Sequence, residues 1–266
     1  MRSKVLSVSL FSLLLLSSCG GTDLNSTASI GGSSSEDEIM KPSNGENLSE
    51  DNIVIIDGKR YEKRQEIYRN PVYYEEFPDP HMIYDQKTNT YWGFATGQRM
   101  ISSKNLVDWT PHGFVLNRTP SWGTPNAAVW APDIQYINGQ YVYYYSLSTW
   151  GDENPGIGVA SAPRPNGPWV DHGELFRSIP IGVNNSIDAM VFVDPISDRV
   201  YLVWGSMRGN FMIELTKDGL ALKDGTQEEA AKNKVWVAGL STDIGWTIGT
   251  YEGAYIIYRH GYYYLF

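Results

Sequence analysis

Asn184-Asn185-Ser186-Ile187-Asp188-Ala189-Met190-Val191 places one carboxylate, that of Asp188, at the entrance to an apolar run. Three other stretches share the form. Asp79 opens Asp-Pro-His-Met-Ile-Tyr, Asp133 sits in Trp-Ala-Pro-Asp-Ile-Gln-Tyr, and Glu252 opens Glu-Gly-Ala-Tyr-Ile-Ile-Tyr. Behind each acid come an apolar strand, a polar turn (Asp85 to Thr90, Asn138-Gly139, Asp194 to Asp198, Arg259 to Gly261) and an aromatic strand. Those second strands are Tyr91 to Ala95, Tyr141 to Tyr145, Val200 to Gly205 and Tyr262 to Phe266. A repeat of roughly 40 to 60 residues made only of short strands is the signature of an all-β propeller, in which each blade is a four-stranded sheet around a central axis. The first strand of each blade then begins near the axis, and the four acids are expected to converge there.

The blades read in order. The first runs over 70–116, with Asp79 fixed between Pro78 and Pro80, which restrict the backbone on both sides of it. The second runs over 128–173 and closes on Trp169-Val170-Asp171-His172-Gly173, a phrase matching Trp109-Thr110-Pro111-His112-Gly113 in the first. His112 and His172 are therefore repeat features rather than catalytic bases. The third starts at Asp188, and its segment 223–233 reads as a surface loop or one helical turn. A fourth begins at Glu252, and the repeat predicts that the sequence ends inside it.

With 266 residues and 42% hydrophobic content, the chain is long enough for one large all-β domain and a tail. The net charge of −9 argues against nucleic acid or an anionic membrane surface as partner, because neither would meet a basic stripe. A neutral glycan meets no such objection. A single cysteine excludes an internal disulfide framework. That cysteine follows a basic start, Met1-Arg2-Ser3-Lys4, and an apolar run from Val5 to Leu16 that is short for a membrane span. Leu16-Ser17-Ser18-Cys19-Gly20 resembles a bacterial lipoprotein signal, which implies lipidation at Cys19 and anchoring of the mature protein to the cell envelope by acyl chains alone. Segment 20–51, rich in Gly, Ser, Asn and acids, is expected to be a disordered tether. Segment 52–69 is expected to form a lead-in strand.

Carboxylates facing one concavity suit hydrolysis of a glycosidic bond, where one protonates the leaving oxygen and another activates water or attacks the sugar. Spacing alone does not assign these roles, and a hard-cation site built from clustered acids competes with them. The sequence has no His-Glu-x-x-His run, Asp-x-Asp-x-Asp-Gly loop, phosphate-binding loop, Gly-x-Ser-x-Gly elbow or dinucleotide glycine fingerprint.

Phe77-Pro78-Asp79-Pro80, Trp130-Ala131-Pro132-Asp133-Ile134, Asn185-Ser186-Ile187-Asp188 and Tyr251-Glu252-Gly253-Ala254-Tyr255 together resemble glycoside hydrolase family 43, over 70–266. The resemblance implies a five-bladed propeller, here truncated within blade four, and an inverting mechanism. It implies Asp79 as general base, Glu252 as general acid, and Asp188 as the residue that orients the acid and raises its pKa, with Asp133 shaping a blade entrance. Ser-Ile-Asp-Ala and Glu-Gly-Ala depart from the family's commoner Ile-Asp-Pro and Glu-Gly-Pro, without touching a carboxylate. Val-Trp-Ala-Pro-Asp-Ile, Tyr-Tyr-Ser-Leu-Ser-Thr-Trp-Gly and Leu-Val-Trp-Gly-Ser most resemble the members that cut α-1,5-linked L-arabinan internally. Exo-acting β-xylosidases and α-L-arabinofuranosidases share the same three acids, and a propeller that binds glycan without cutting it is the alternative of another class. Trp122, Trp130, Trp150 and Trp246 are candidate sugar platforms, with core packing as the competing use of each. Asn185 and Ser186 are candidates to hydrogen-bond sugar hydroxyls. The resemblance requires no cofactor; some relatives hold a calcium ion in the central channel, with ligands that this sequence does not identify.

Overall fold

The computed structural model describes residues 53–56, 58–62, 70–207, 209–239 and 250–266. The signal segment with Cys19, the tether and Trp246 lie outside the described residues. The chain divides into two units, 1–66 and 67–266. In the first, the expected single lead-in strand is a hairpin: β1 (Ile53–Ile56) pairs antiparallel with β2 (Lys59–Glu62). Gly58, at φ 76, supplies the left-handed residue that a two-residue turn demands.

The second unit is all-β apart from short helical segments. β3 (His81–Asp85), β4 (Thr90–Ala95), β5 (Arg99–Ser103) and β6 (Trp109–Phe114) form one antiparallel sheet in sequence order. A second sheet follows, of β7 (Ala128–Ile137), β8 (Gln140–Ser148), β9 (Gly156–Ala162) and β10 (Val170–Arg177). The third comprises β11 (Met190–Val193), β12 (Val200–Ser206), β13 (Gly209–Leu215) and β14 (Val235–Ala238), and β15 (Ile256–Arg259) then pairs with β16 (Tyr262–Leu265). First strands adjoin in succession, β3 against β7, β7 against β11 and β11 against β15. The acids that precede or open them are thereby gathered around one axis.

The tyrosine run shows why these sheets stack. Side chains of a strand alternate between faces, and in β8 both faces are covered. Tyr141, Tyr143 and Tyr145 join Trp92, Phe94 and Met100 of the first sheet in one core cluster, whereas Val142 and Tyr144 join Leu202, Trp204 and Ile213 of the third in another. A strand buried on both sides reads as a continuous apolar run instead of an alternating one. Three of the four phenols find partners, Tyr141 donating to Asp85 (2.8 Å), Tyr144 to the carbonyl of Gly219 (2.8 Å) and Tyr145 to Asp171 (2.8 Å), while the buried Tyr143 hydroxyl has none among the described residues. Trp169 packs between the first and second sheets, meeting Phe94 edge-on at 6.1 Å and Tyr143 at 5.8 Å.

The two repeat histidines take matching partners, Ser102 with His112 (2.7 Å) and Ser161 with His172 (2.8 Å), each bridging the third and fourth strands of its sheet. Such repetition marks a structural clasp. Segment 223–233 departs from expectation, because α2 (Gln227–Asn233) is a regular helix; a shorter one, α1 (Ser178–Ile181), closes on Gly182 at φ 68. Thr226 caps α2 by accepting from the N–H of Glu229 (3.2 Å), and Glu228 and Glu229 face the positive end of its dipole. Thr226-x-x-Glu229 is a capping box in the sequence that the Glu, Lys and Ala content of the segment obscured.

Candidate active site

Asp79, Asp188 and Glu252 line one cleft of about 790 Å³, on the face where the first strands begin. Asp79 and Asp188 stand in the left-handed region, at φ 51 and φ 55, as does Asn185 at φ 53. For residues other than glycine this conformation costs about 1–3 kcal/mol, and it persists where surrounding structure enforces it. Here the enforcement is visible. The N–H of Asp188 donates to Ser146 Oγ on β8 (2.9 Å), and the carbonyl of Ile187 accepts from Gly205 N on β12 (3.3 Å). Pro78, before Asp79, accepts through its carbonyl from the N–H of Thr96 (3.1 Å).

Each carboxylate has its own setting. Thr96 Oγ1 donates to Asp79 Oδ2 at 2.7 Å. Ser206 Oγ donates to Glu252 Oε1 at 2.5 Å. Asp188 is pushed up to about 7, first by burial, then by the charges of Glu252 and Asp79, against which the N–H of Gly253 donates to it. With the charges of Glu252 and Asp79 both acting on it, Asp188 holds a proton up to about neutral pH. A proton donor and an ionised base over one cleft are the requirement for cutting a glycosidic bond.

The fourth acid does other work. Asp133 is 1% exposed and lies beyond a bulge in β7. Its Oδ1 pairs with His81 Nδ1 (2.6 Å), and its Oδ2 accepts from the N–H of Val191 (2.9 Å), fastening the first and third sheets to the second. Burial lowers the His81 pKa, but the charge of Asp133 and its hydrogen bond outweigh that and raise it. A second cavity of about 360 Å³, lined by His81, Asp133 and Tyr255, adjoins the cleft and shares Asp79 and Asp188 with it. Among the described residues no three His, Cys, Asp or Glu side chains are grouped to hold a metal ion, and none of them is assigned to the calcium that some relatives hold.

The candidate sugar contacts divide. Trp130, Trp150 and Asn185 line the cleft. The two indoles stand 5.6 Å apart at 50°, and Trp150 is 88% exposed, an open apolar face beside the acids. Trp122 packs on the second sheet instead, its ring 6.1 Å from Tyr145 and its Nε1 donating to that phenol (3.1 Å). Ser186 is a correction too. It is fully buried, its hydroxyl donates to the carbonyl of Val183 (3.0 Å) and accepts from Trp204 Nε1 (3.1 Å), and no sugar reaches it. Sequence reasoning passed over Thr96 and Ser206, the two hydroxyls that hold Asp79 and Glu252. The only signal for Ser206 was its place at the end of Leu-Val-Trp-Gly-Ser.

A family model described as glycosyl hydrolases family 43 matches residues 68–266, which include the whole cleft. The chain belongs to that family. Among curated relatives, a probable arabinan endo-1,5-alpha-L-arabinosidase C of Aspergillus clavatus is 34% identical over 197 residues, covering 70% of this chain and 57% of its own. Among solved structures, an exo-1,5-alpha-L-arabinanase from a bovine ruminal metagenomic library is 30% identical with a TM-score of 0.57, covering 71% of this chain and 63% of its own. The family 43 endo-arabinanase of Bacillus licheniformis is 29% identical with the same TM-score of 0.57, covering 71% and 64%. This chain thus spans somewhat under two thirds of the length of these relatives.

Proposed function

We propose that this family 43 chain carries the catalytic cleft of an inverting glycoside hydrolase that cuts α-1,5-linked L-arabinan internally. The observation that carries the reading is the convergence of Asp79, Asp188 and Glu252 on one cleft in which a proton is retained near neutral pH. Glu252 gives its proton to the glycosidic oxygen as the bond to the anomeric carbon breaks. Asp79 takes a proton from the water that attacks that carbon from the opposite side, and Asp188 orients the acid and raises its pKa. Trp130 and Trp150 offer faces on which furanose rings stack. The names of the relatives support arabinan, and that of the curated relative supports internal cleavage, although the metagenomic neighbour is an exo-enzyme. A non-catalytic glycan binder has no use for three convergent acids. The framework proposed for the whole protein is a five-bladed propeller, to which this chain contributes the three complete blades described and the strands β15 and β16.

The test is incubation of the intact protein with linear arabinan. Oligosaccharides are expected early, whereas early monosaccharide would replace this reading with exo-action on arabinan. Release from aryl β-xyloside but not from arabinan would move the substrate to xylan-derived glycans. Proton NMR of the first-formed product should show inverted anomeric configuration; retention would remove Asp79 as base.

The proposed location is the bacterial cell envelope, through lipid on Cys19. Cys19→Ser is expected to move the protein from the membrane to the soluble fraction on sedimentation of cell lysates. A variant that stays with the membrane overturns the lipid anchor.

A further inference from the structure

We infer that Ser206 is a positioning residue for the acid: it fixes which oxygen of Glu252 carries the proton, and Asn185 fixes the direction of the Ser206 hydroxyl. The inference rests on the proposed role of Glu252 and extends it to two residues.

The geometry is a one-way relay. Asn185 Nδ2 donates to Ser206 Oγ at 2.9 Å, and Ser206 Oγ lies 2.5 Å from Glu252 Oε1. A serine hydroxyl has one proton to give. Because Asn185 arrives as a donor, that proton is left for Glu252 Oε1. In the protonated acid, Oε1 is then the carbonyl oxygen and Oε2 bears the proton that goes to the glycosidic oxygen. After the transfer Oε1 keeps its donor, which stabilises the carboxylate produced. Two roles follow from one bond: it aims the acid before the step and stabilises the anion after it.

The surrounding chain is built to hold this hydroxyl in place. Ser206 is fully buried at the end of β12. Gly205 before it, at φ 150, has no room for a side chain, since a Cβ would stand 2.2 Å from the carbonyl oxygen of Gly209. The carbonyl of Ser206 accepts from Tyr251 N (2.8 Å), the carbonyl of Tyr251 accepts from Asn210 Nδ2 (2.8 Å), and Met207 bridges to Thr250. The segment bearing Glu252 is therefore docked at the β12–β13 turn by contacts of Ser206, Met207 and Asn210 that do not involve the Ser206 hydroxyl. Removing that hydroxyl leaves the docking in place and deletes the bond to the acid together with the bond from Asn185.

The experiment combines kinetics with a titration that needs no turnover. Ser206→Ala is expected to lose roughly 10²-fold in kcat on arabinan, as a misaimed acid does. It should lose far less on an aryl arabinoside whose leaving group needs no proton. A donor to the carboxylate lowers its pKa, so deletion should move the alkaline limb of kcat/KM upward by on the order of one pH unit. Carbon-13 NMR of labelled glutamate should report the same upward shift for Glu252 without substrate. Ser206→Thr, which keeps the hydroxyl, should restore both readouts. Asn185→Asp, whose carboxylate would draw the Ser206 proton toward itself, should reproduce the alanine phenotype, and it decides the matter should Ser206→Ala fail to fold. Equal losses on both substrates with an unmoved Glu252 titration would make Ser206 merely structural and overturn the inference. A wild-type protein inert on every arabinoside would overturn the proposed function instead, while the carbon-13 titration would still decide the relay.

Discussion

Asp79→Ala is expected to lose about 10³-fold or more in kcat on arabinan and on aryl arabinoside alike, and Glu252→Ala is expected to lose about as much on arabinan but far less on the aryl substrate. General acid and general base groups typically each contribute 10²–10⁴-fold. The asymmetry comes from the leaving group. A sugar alkoxide must be protonated as it departs, whereas an activated phenolate departs unaided, so the loss of Glu252 is repaired by substrate chemistry. No substrate supplies the water that Asp79 activates. The two carboxylates stand on different elements, Asp79 held by Thr96 next to β4 and Glu252 by Ser206 on β12, and neither hydroxyl serves both. Steady-state kinetics of both variants on both substrates check the assignment. Near-normal turnover by Asp79→Ala would remove the base, and equal losses by Glu252→Ala on both substrates would remove the acid.

What the sequence made legible, and what it hid, follows from the scale of each signal. Sheet order and the convergence of the acids were legible because each blade writes the same sentence, acid then strand then turn then strand, and repetition exposes a pattern no single stretch carries. The turns beyond the first strands show it, with Asn89, Asn138, Asp198 and His260 all at positive φ. The fourth acid was harder to place, because Asp133 shares the spacing of the others. Its strand begins five residues earlier, at Ala128, and a bulge carries the carboxylate inward to His81 and the N–H of Val191. Neighbours in sequence misled in the same way. Asn185 faces the cleft while Ser186, one residue on, is sealed beneath Trp204. Trp122 and Trp130 were both candidate platforms, and the packing of Trp122 on Tyr145 separates core from cleft. Thr96 and Ser206 were invisible for a simpler reason. One hydroxyl among many has no periodicity, and its meaning lies in the carboxylate it meets across the fold.

Asp188→Asn is expected to stabilise the folded protein above neutral pH while removing most of its activity. Asp188 titrates at about 7 in the folded state against an ordinary value of 3.8, raised by burial first and by Glu252 and Asp79 next. A carboxyl raised on folding binds more protons in the native state than in the unfolded chain, so its contribution to stability falls as pH rises between the two values. Below about pH 4 both states are protonated and nothing is lost. By about pH 7 the ionised unfolded chain is favoured, and above it the penalty is complete. A shift of about three units corresponds to roughly 4 kcal/mol as an upper bound. Asparagine has a similar shape, keeps an oxygen for the N–H of Gly253, and carries no charge to repel Glu252. The variant should therefore match the wild type in urea unfolding at pH 4 and exceed it by roughly 2–4 kcal/mol at pH 8. The activity is lost because, in the proposed mechanism, Asp188 orients the acid and asparagine brings no charge to that task. A wild type and variant whose stabilities run parallel from pH 4 to pH 8 would show that Asp188 is not raised, and the proton would have to be held elsewhere in the cleft.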